Sequence, residues 1–127
     1  MRPNEHSGRA LAYLGDAVWS LHVRQRLIAQ GYGTGKQLQK LSIRYVSARA
    51  QAALFDEMEA QGFWNETEME LFHRGRNDNA GTVPHSTDVQ TYRKSTGFEA
   101  VLGYLQLSGE NDRIEEITEK AFELIRL

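Results

Sequence analysis

The chain has no cysteine in its 127 residues. That excludes disulfides and thiolate metal sites, and it fits a reducing cytoplasm. There are two prolines in all, and strand-like alternation of apolar and polar residues is scarce, so the pattern reads as helices throughout. A membrane span is not expected, because the longest apolar helical stretch is shorter than ~20 residues and carries an acid, Asp16. The opening Met1-Arg2-Pro3-Asn4-Glu5-His6 is too polar to begin a signal peptide. Length sets a further bound. We expect a single domain over 1–127, large enough for a real core and too small for a catalytic domain plus an appended binding domain.

A net charge of -2 suggests no preference for a charged partner, but the charges are segregated. Residues 1–54 carry eight Lys/Arg against two acids, whereas 55–72 carry six acids and no base. Residues 73–94 have four bases against two acids, and after Glu99 the tail has six acids against three bases. A polyanionic partner is therefore not excluded.

Two segments stand out. Ala10-Leu11-Ala12-Tyr13-Leu14-Gly15-Asp16-Ala17-Val18-Trp19-Ser20-Leu21-His22-Val23, laid on a helix, is apolar on nearly every side: Leu11, Leu14, Val18 and Leu21 form one stripe, and Trp19, Val23 and Leu27 another. Its one full charge is Asp16, and burying a lone carboxylate is costly unless it is paired or metal-bound. Ser95-Thr96-Gly97-Phe98-Glu99-Ala100-Val101-Leu102-Gly103-Tyr104-Leu105 repeats the anomaly with Glu99. Gly15 and Ala17 flank one acid, Ala100 and Gly103 the other, and small residues let helix backbones approach closely. Two such helices in contact would set two carboxylates side by side. That arrangement needs either a divalent cation or one proton held at a raised pKa.

In chain order, the first helix is expected from about Ser7 to Gln30, ended by Gly31-Tyr32-Gly33, with Thr34 capping the next. A short helix follows near Lys36–Leu41; Ser47 then opens another, with Ala48, Gln51, Ala52 and Phe55 at helical spacing, which Gly62 stops. Phe63 and Trp64 close a hydrophobic cluster. A helix starts at Asn65-Glu66-Thr67-Glu68, its acids facing the dipole favourably. Arg74 to Thr87 reads as the longest loop, with Thr87 capping a helix from Asp88. A last amphipathic helix is expected from Asn111 to about Arg126, with Ile114, Ile117, Ala121, Phe122 and Ile125 inward and its acids on a wet face. Glu66, Glu68 and Glu70, like Glu115 and Glu116, are expected on surface faces.

Leu11-Ala12-Tyr13-Leu14-Gly15-Asp16-Ala17-Val18 resembles the signature helix of ribonuclease III, whose core reads Leu-Glu-Phe-Leu-Gly-Asp-Ala-Val/Leu. Phe98-Glu99-Ala100-Val101-Leu102-Gly103 resembles that family's second motif. With Arg74-Gly75-Arg76-Asn77 and Thr87-Asp88-Val89-Gln90-Thr91-Tyr92-Arg93, the resemblance narrows to the bacterial Mini-III branch, a catalytic domain without a double-stranded-RNA-binding domain. It covers essentially the whole chain. The resemblance implies an all-α, ribonuclease III-like helical bundle that works as a cytoplasmic homodimer. It further implies Mg²⁺-dependent hydrolysis of double-stranded RNA and maturation of the large-subunit ribosomal RNA precursor, with a ribosomal protein as a candidate accessory.

Carried over by position, Asp16 and Glu99 match the two central catalytic and metal-binding carboxylates. Three other family acids are replaced, by Ala12, Asn77 and Thr96, a thinning shared by Mini-III sequences. Tyr13 matches an aromatic knob at the family's dimer interface, with Leu11 and Trp19 expected nearby. Independently of the name, Mg²⁺ prefers hard carboxylate oxygens, and phosphodiester hydrolysis needs an activated water and stabilised charge on the phosphate. The four histidines are scattered, so a zinc site is not expected. Duplex RNA is read through phosphates and 2′-hydroxyls, which suits Arg74, Arg76, Asn77, His85, Thr87, Gln90, Arg93 and Lys94. The rival readings are a catalytically silent RNA-binding module of the same fold and an all-α nucleotide pyrophosphatase.

Overall fold

The structure is a computed structural model that describes residues 1–78 and 88–127. A single turn of 3₁₀ helix, Pro3–Glu5, leads into six α-helices: α1 Gly8–Ala29, α2 Gly35–Val46, α3 Ala48–Ala60, α4 Glu66–Asn77, α5 Val89–Leu107 and α6 Asn111–Leu124. Among the described residues every regular element is helical.

Local chemistry sets most of the helix ends. The Ser7, Thr34, Ser47 and Asn65 side chains each accept a hydrogen bond from the backbone N–H three residues on, as N-caps do. Ser47 also closes α2, so two helices meet at one residue. Gly31 and Gly62 take positive φ just beyond α1 and α3, where a side chain would be strained. Two boundaries differ from expectation. Helix α2 runs on to Val46, because Leu41, Tyr45 and Val46 continue its buried side. The cap of α5 is Asp88 rather than Thr87: its carboxylate accepts from the Thr91 N–H and hydroxyl at 2.9 and 2.8 Å, an anion at the positive end of the helix.

Helix α5 is the centre of the molecule and packs against α1, α3, α4 and α6. From Ser95 to Leu105 it is buried at nearly every position, Glu99 and Tyr104 being the half-exposed ones. Around it lie Trp19, edge-on to Phe98 at 5.0 Å, and Phe55, stacked on Phe72 at 3.6 Å. Helix α1 is less enclosed than its composition suggested. Leu11, Ala12, Gly15, Val18, Trp19, Val23 and Leu27 face inward, while Leu21 lies outside at 53% exposure.

This corrects two positions expected at a dimer interface. Leu11 and Trp19 are wholly buried within the chain, Trp19 donating its indole N–H to the Tyr45 carbonyl at 2.8 Å. Helical rotation explains the split, since Tyr13, two residues past Leu11, must point to the opposite side. Glu68 is a second correction. It is 1% exposed rather than on a wet face, serving at once in the α4 capping box and in a two-pronged ion pair with Arg113 at 2.7 Å.

Candidate active site

Glycines bring α1 and α5 together. A Cβ on Gly15 would fall on the Glu99 carbonyl oxygen and stand 2.9 Å from the Gly103 nitrogen. One on Gly103 would strike the Leu11 carbonyl oxygen. Only hydrogen at both positions permits this backbone contact, and the contact places the residue after Gly15 beside the α5 acid. The Asp16 and Glu99 carboxyl groups accordingly face the same cleft, close enough for the charge of Asp16 to act on Glu99. Burial first, then the hydrogen bond and negative charge of Asp16, push the Glu99 carboxyl up to about 8, against a downward pull from Gln51.

The two acids differ in setting. Asp16 is exposed and Glu99 half-buried. Both line an open cleft of about 320 Å³ whose walls come from α1, α3, α5 and the last residue of α2, Val46, and include Tyr13, Gln51, Tyr92, Ser95 and Thr96. The acid in α1 is therefore explained by a cleft rather than by burial on all sides.

Gln51, Tyr92 and Ser95 were not singled out as site residues from sequence. Gln51 is 1% exposed; its Nε2 donates to the Val46 carbonyl at 3.1 Å and to Glu99 Oε2 at 3.4 Å. Its one sequence signal was a polar residue on an otherwise apolar helical stripe. Ser95 and Thr96 both bond back to the Tyr92 carbonyl, at 2.6 and 3.1 Å. Thr96, where the family pattern has an acid, is thus turned onto its own helix.

Among the described residues no group of three or more His, Cys, Asp or Glu gathers to hold a metal ion. The Asp16–Glu99 pair nevertheless fits a hard divalent cation. Two adjacent carboxyl groups, the ionised form of one disfavoured by burial and by its neighbour, gain from a positive charge between them. Beside them, Gln51 Oε1 is buried with no hydrogen-bond partner among the described residues, which leaves an acceptor for a bound water.

The residues expected to meet RNA divide. Gln90 and Arg93 are exposed on the first turns of α5, and Asn77 is exposed at the end of α4, with Arg76 half-buried beside it. Arg74 is already engaged, its guanidinium donating to the Asn4 and His6 carbonyls and to Glu70. It ties the leader to α4 rather than standing free for phosphate. Lys94 pairs with Asp56 at 2.9 Å. His85 and Thr87 lie outside the described residues. The expected loop also begins later than Arg74, because α4 continues through Asn77.

The class of protein to which this helical fold belongs is that of the ribonuclease III domain. That domain's pattern matches residues 9–110, and the chain belongs to this family. It is an endoribonuclease of ribonuclease III type. Its relatives fall in the Mini-ribonuclease 3 branch. The chain is 44% identical to the Mini-ribonuclease 3 of Streptococcus pneumoniae over 111 residues, 87% of each protein. It is 42% identical to that of Brevibacillus brevis over 123 residues, 97% of this chain and 90% of the relative. A crystal structure of a Fusobacterium nucleatum protein superposes with a TM-score of 0.82 at 28% identity, covering 93% of both chains.

Proposed function

We propose that this endoribonuclease hydrolyses phosphodiesters of double-stranded RNA at the Asp16–Glu99 cleft with Mg²⁺, and that its substrate is the large-subunit ribosomal RNA precursor. The observation that carries the reading is the meeting of the two acids in one open cleft. Bound there, Mg²⁺ would supply an activated water and offset charge on the phosphate oxygens. Asp16 and Glu99, which both line the cleft, would hold it there. Exposed Gln90 and Arg93 on the first turns of α5, the helix that also carries Tyr92 to Thr96 of the cleft, and Arg76 and exposed Asn77 at the end of α4 offer donors to phosphates and 2′-hydroxyls.

We further propose a cytoplasmic homodimer, for which the outer face of α1 offers the surface; a ribosomal protein is a candidate accessory. Among the described residues no helix is long and apolar enough to cross a membrane.

The test is incubation with Mg²⁺ and either long duplex RNA, a large-subunit precursor transcript or nucleoside triphosphates. The expected result is cut duplex and a discrete product from the precursor, abolished by chelator and by Asp16→Asn, with triphosphates untouched. Near-normal cleavage by Asp16→Asn, or cleavage in chelator, would remove this reading of the cleft. Binding of duplex without any cutting would instead favour the silent module.

A further inference from the structure

We propose that Gln51 is a positioning residue of this cleft: its amide clamps Glu99 through Nε2 and offers Oε1 to a water in the hydration shell of the bound cation. The inference rests on the reading of Asp16 and Glu99 as cation ligands.

Gln51 sits in the first turn of α3, one turn past the Ser47 junction, and its side chain is enclosed while lining the cleft. Both amide hydrogens have acceptors, the Val46 carbonyl at the α2–α3 junction and Glu99 Oε2. The orientation of the amide follows from these partners, since turning it over would set three oxygens against one another. One bond anchors the amide to rigid backbone, and the other fixes which way the Glu99 carboxylate faces.

Oε1 is then the remaining atom. It is buried, and among the described residues no side chain or backbone group bonds to it. An amide carbonyl can only accept, so its partner must be a donor. The nearby hydroxyls of Ser95 and Thr96 are spent on the Tyr92 carbonyl. Magnesium bound by one or two carboxylates keeps several of its waters, and those waters are donors. With two carboxylates gathered here among the described residues, most of a cation's shell would be water facing the cleft walls, of which Gln51 is one. Groups that orient ligands in this way commonly tune affinity without touching the metal.

The experiment titrates the metal-free chain with Mn²⁺, read by the loss of free-ion electron paramagnetic resonance signal without RNA. Wild type, Asp16→Asn, Gln51→Met and Gln51→Asn are compared, with thermal unfolding recorded for each. Gln51→Met keeps the length and removes both polar atoms; Gln51→Asn keeps the amide but withdraws it by one methylene. The expected result is a wild-type site lost in Asp16→Asn and weakened roughly 10–100-fold in Gln51→Met, with Gln51→Asn between. Half-saturating Mg²⁺ for cleavage should rise by the same factor, and excess Mg²⁺ should restore Gln51→Met but not Asp16→Asn. Wild-type Mn²⁺ affinity in Gln51→Met, together with a lowered melting temperature, would overturn the proposal and leave Gln51 as a structural tie to Val46. If Gln51→Met fails to fold, Gln51→Asn decides by the same comparison. If wild type shows no Asp16-dependent Mn²⁺ site, the cation reading of the cleft itself fails, and this inference fails with it.

Discussion

Glu99 connects the chemistry of the cleft to the stability of the chain. Its carboxyl is raised from 4.5 to about 8 by burial and by the neighbouring Asp16, so the folded state holds its proton more tightly than the unfolded state does. The stabilisation linked to that proton is fully present below the unfolded value. It is lost as pH rises through about 8, where the folded chain must carry two adjacent negative charges. In chelator, we expect the melting temperature to fall as pH is raised from 5 to 9, and Glu99→Gln to flatten that fall. An equal slope in both proteins would mean that Glu99 titrates normally. The convergence of Asp16 and Glu99 on one cleft was legible in the sequence because each was the lone charge in an apolar stretch. Gln51 and Glu68 were not legible as partners, because what satisfies them arrives from far along the chain: Glu99 for one, Arg113 for the other. A residue's own neighbours predict its cap or its stripe, but not a partner set by the packing of another helix.

At the scale of elements, backbone contacts between helices determine where the acids fall. The α1–α5 contact depends on Gly15 and Gly103, and α4 is drawn in the same way: a Cβ on Gly75 would stand 2.6 Å from the Ala100 side chain and 2.9 Å from the Thr96 carbonyl oxygen. Gly15→Ala should therefore force α1 away from α5. Overpacking of this kind costs about 1–3 kcal/mol, and the resulting shift should separate Asp16 from Glu99. We expect a lower melting temperature and a loss of cleavage larger than the stability loss alone would cause at a temperature where the variant is still folded. Full activity in a stably folded Gly15→Ala would show that the acids tolerate a wider spacing. The same physics explains which helix ends could be read in advance. Ser7, Thr34, Ser47, Asn65 and Gly62 announce boundaries because capping and positive φ are local demands. Arg74-Gly75-Arg76-Asn77 looked like loop because it contains no apolar side chain. It is helical because a bare glycine backbone is what packs there, and a missing side chain leaves no hydrophobic pattern to detect.

For the whole molecule, the outer face of α1 is an exposed apolar stripe. Tyr13 is 86% exposed, Leu21 53% and Ile28 62%, with exposed Ala17 between Tyr13 and Leu21 at four-residue spacing. The inward half of the helix, Leu11 and Trp19 included, is already spent on the core, so an interface has to use this outer stripe. The stripe borders the cleft, since Tyr13 lines it together with Asp16. One chain offers one pair of acids, whereas cutting both strands of a duplex calls for two sites, and a two-fold pairing through one shared surface supplies them most simply. Large aromatic side chains near the centre of such a surface dominate its energy, and truncating one costs about 2 kcal/mol or more, roughly a thirtyfold weakening of association at that value. Tyr13→Ala should therefore shift sedimentation toward monomer at micromolar concentration. It should also turn double-strand cleavage into single-strand nicking, while the intramolecular core, to which the exposed Tyr13 contributes little, stays folded. Leu21→Ser should act in the same direction, because it lies two turns along the same face. A wild-type chain that sediments as a monomer at its working concentration, yet cuts both strands in concert, would defeat the paired arrangement and leave Tyr13 as a wall of the cleft alone.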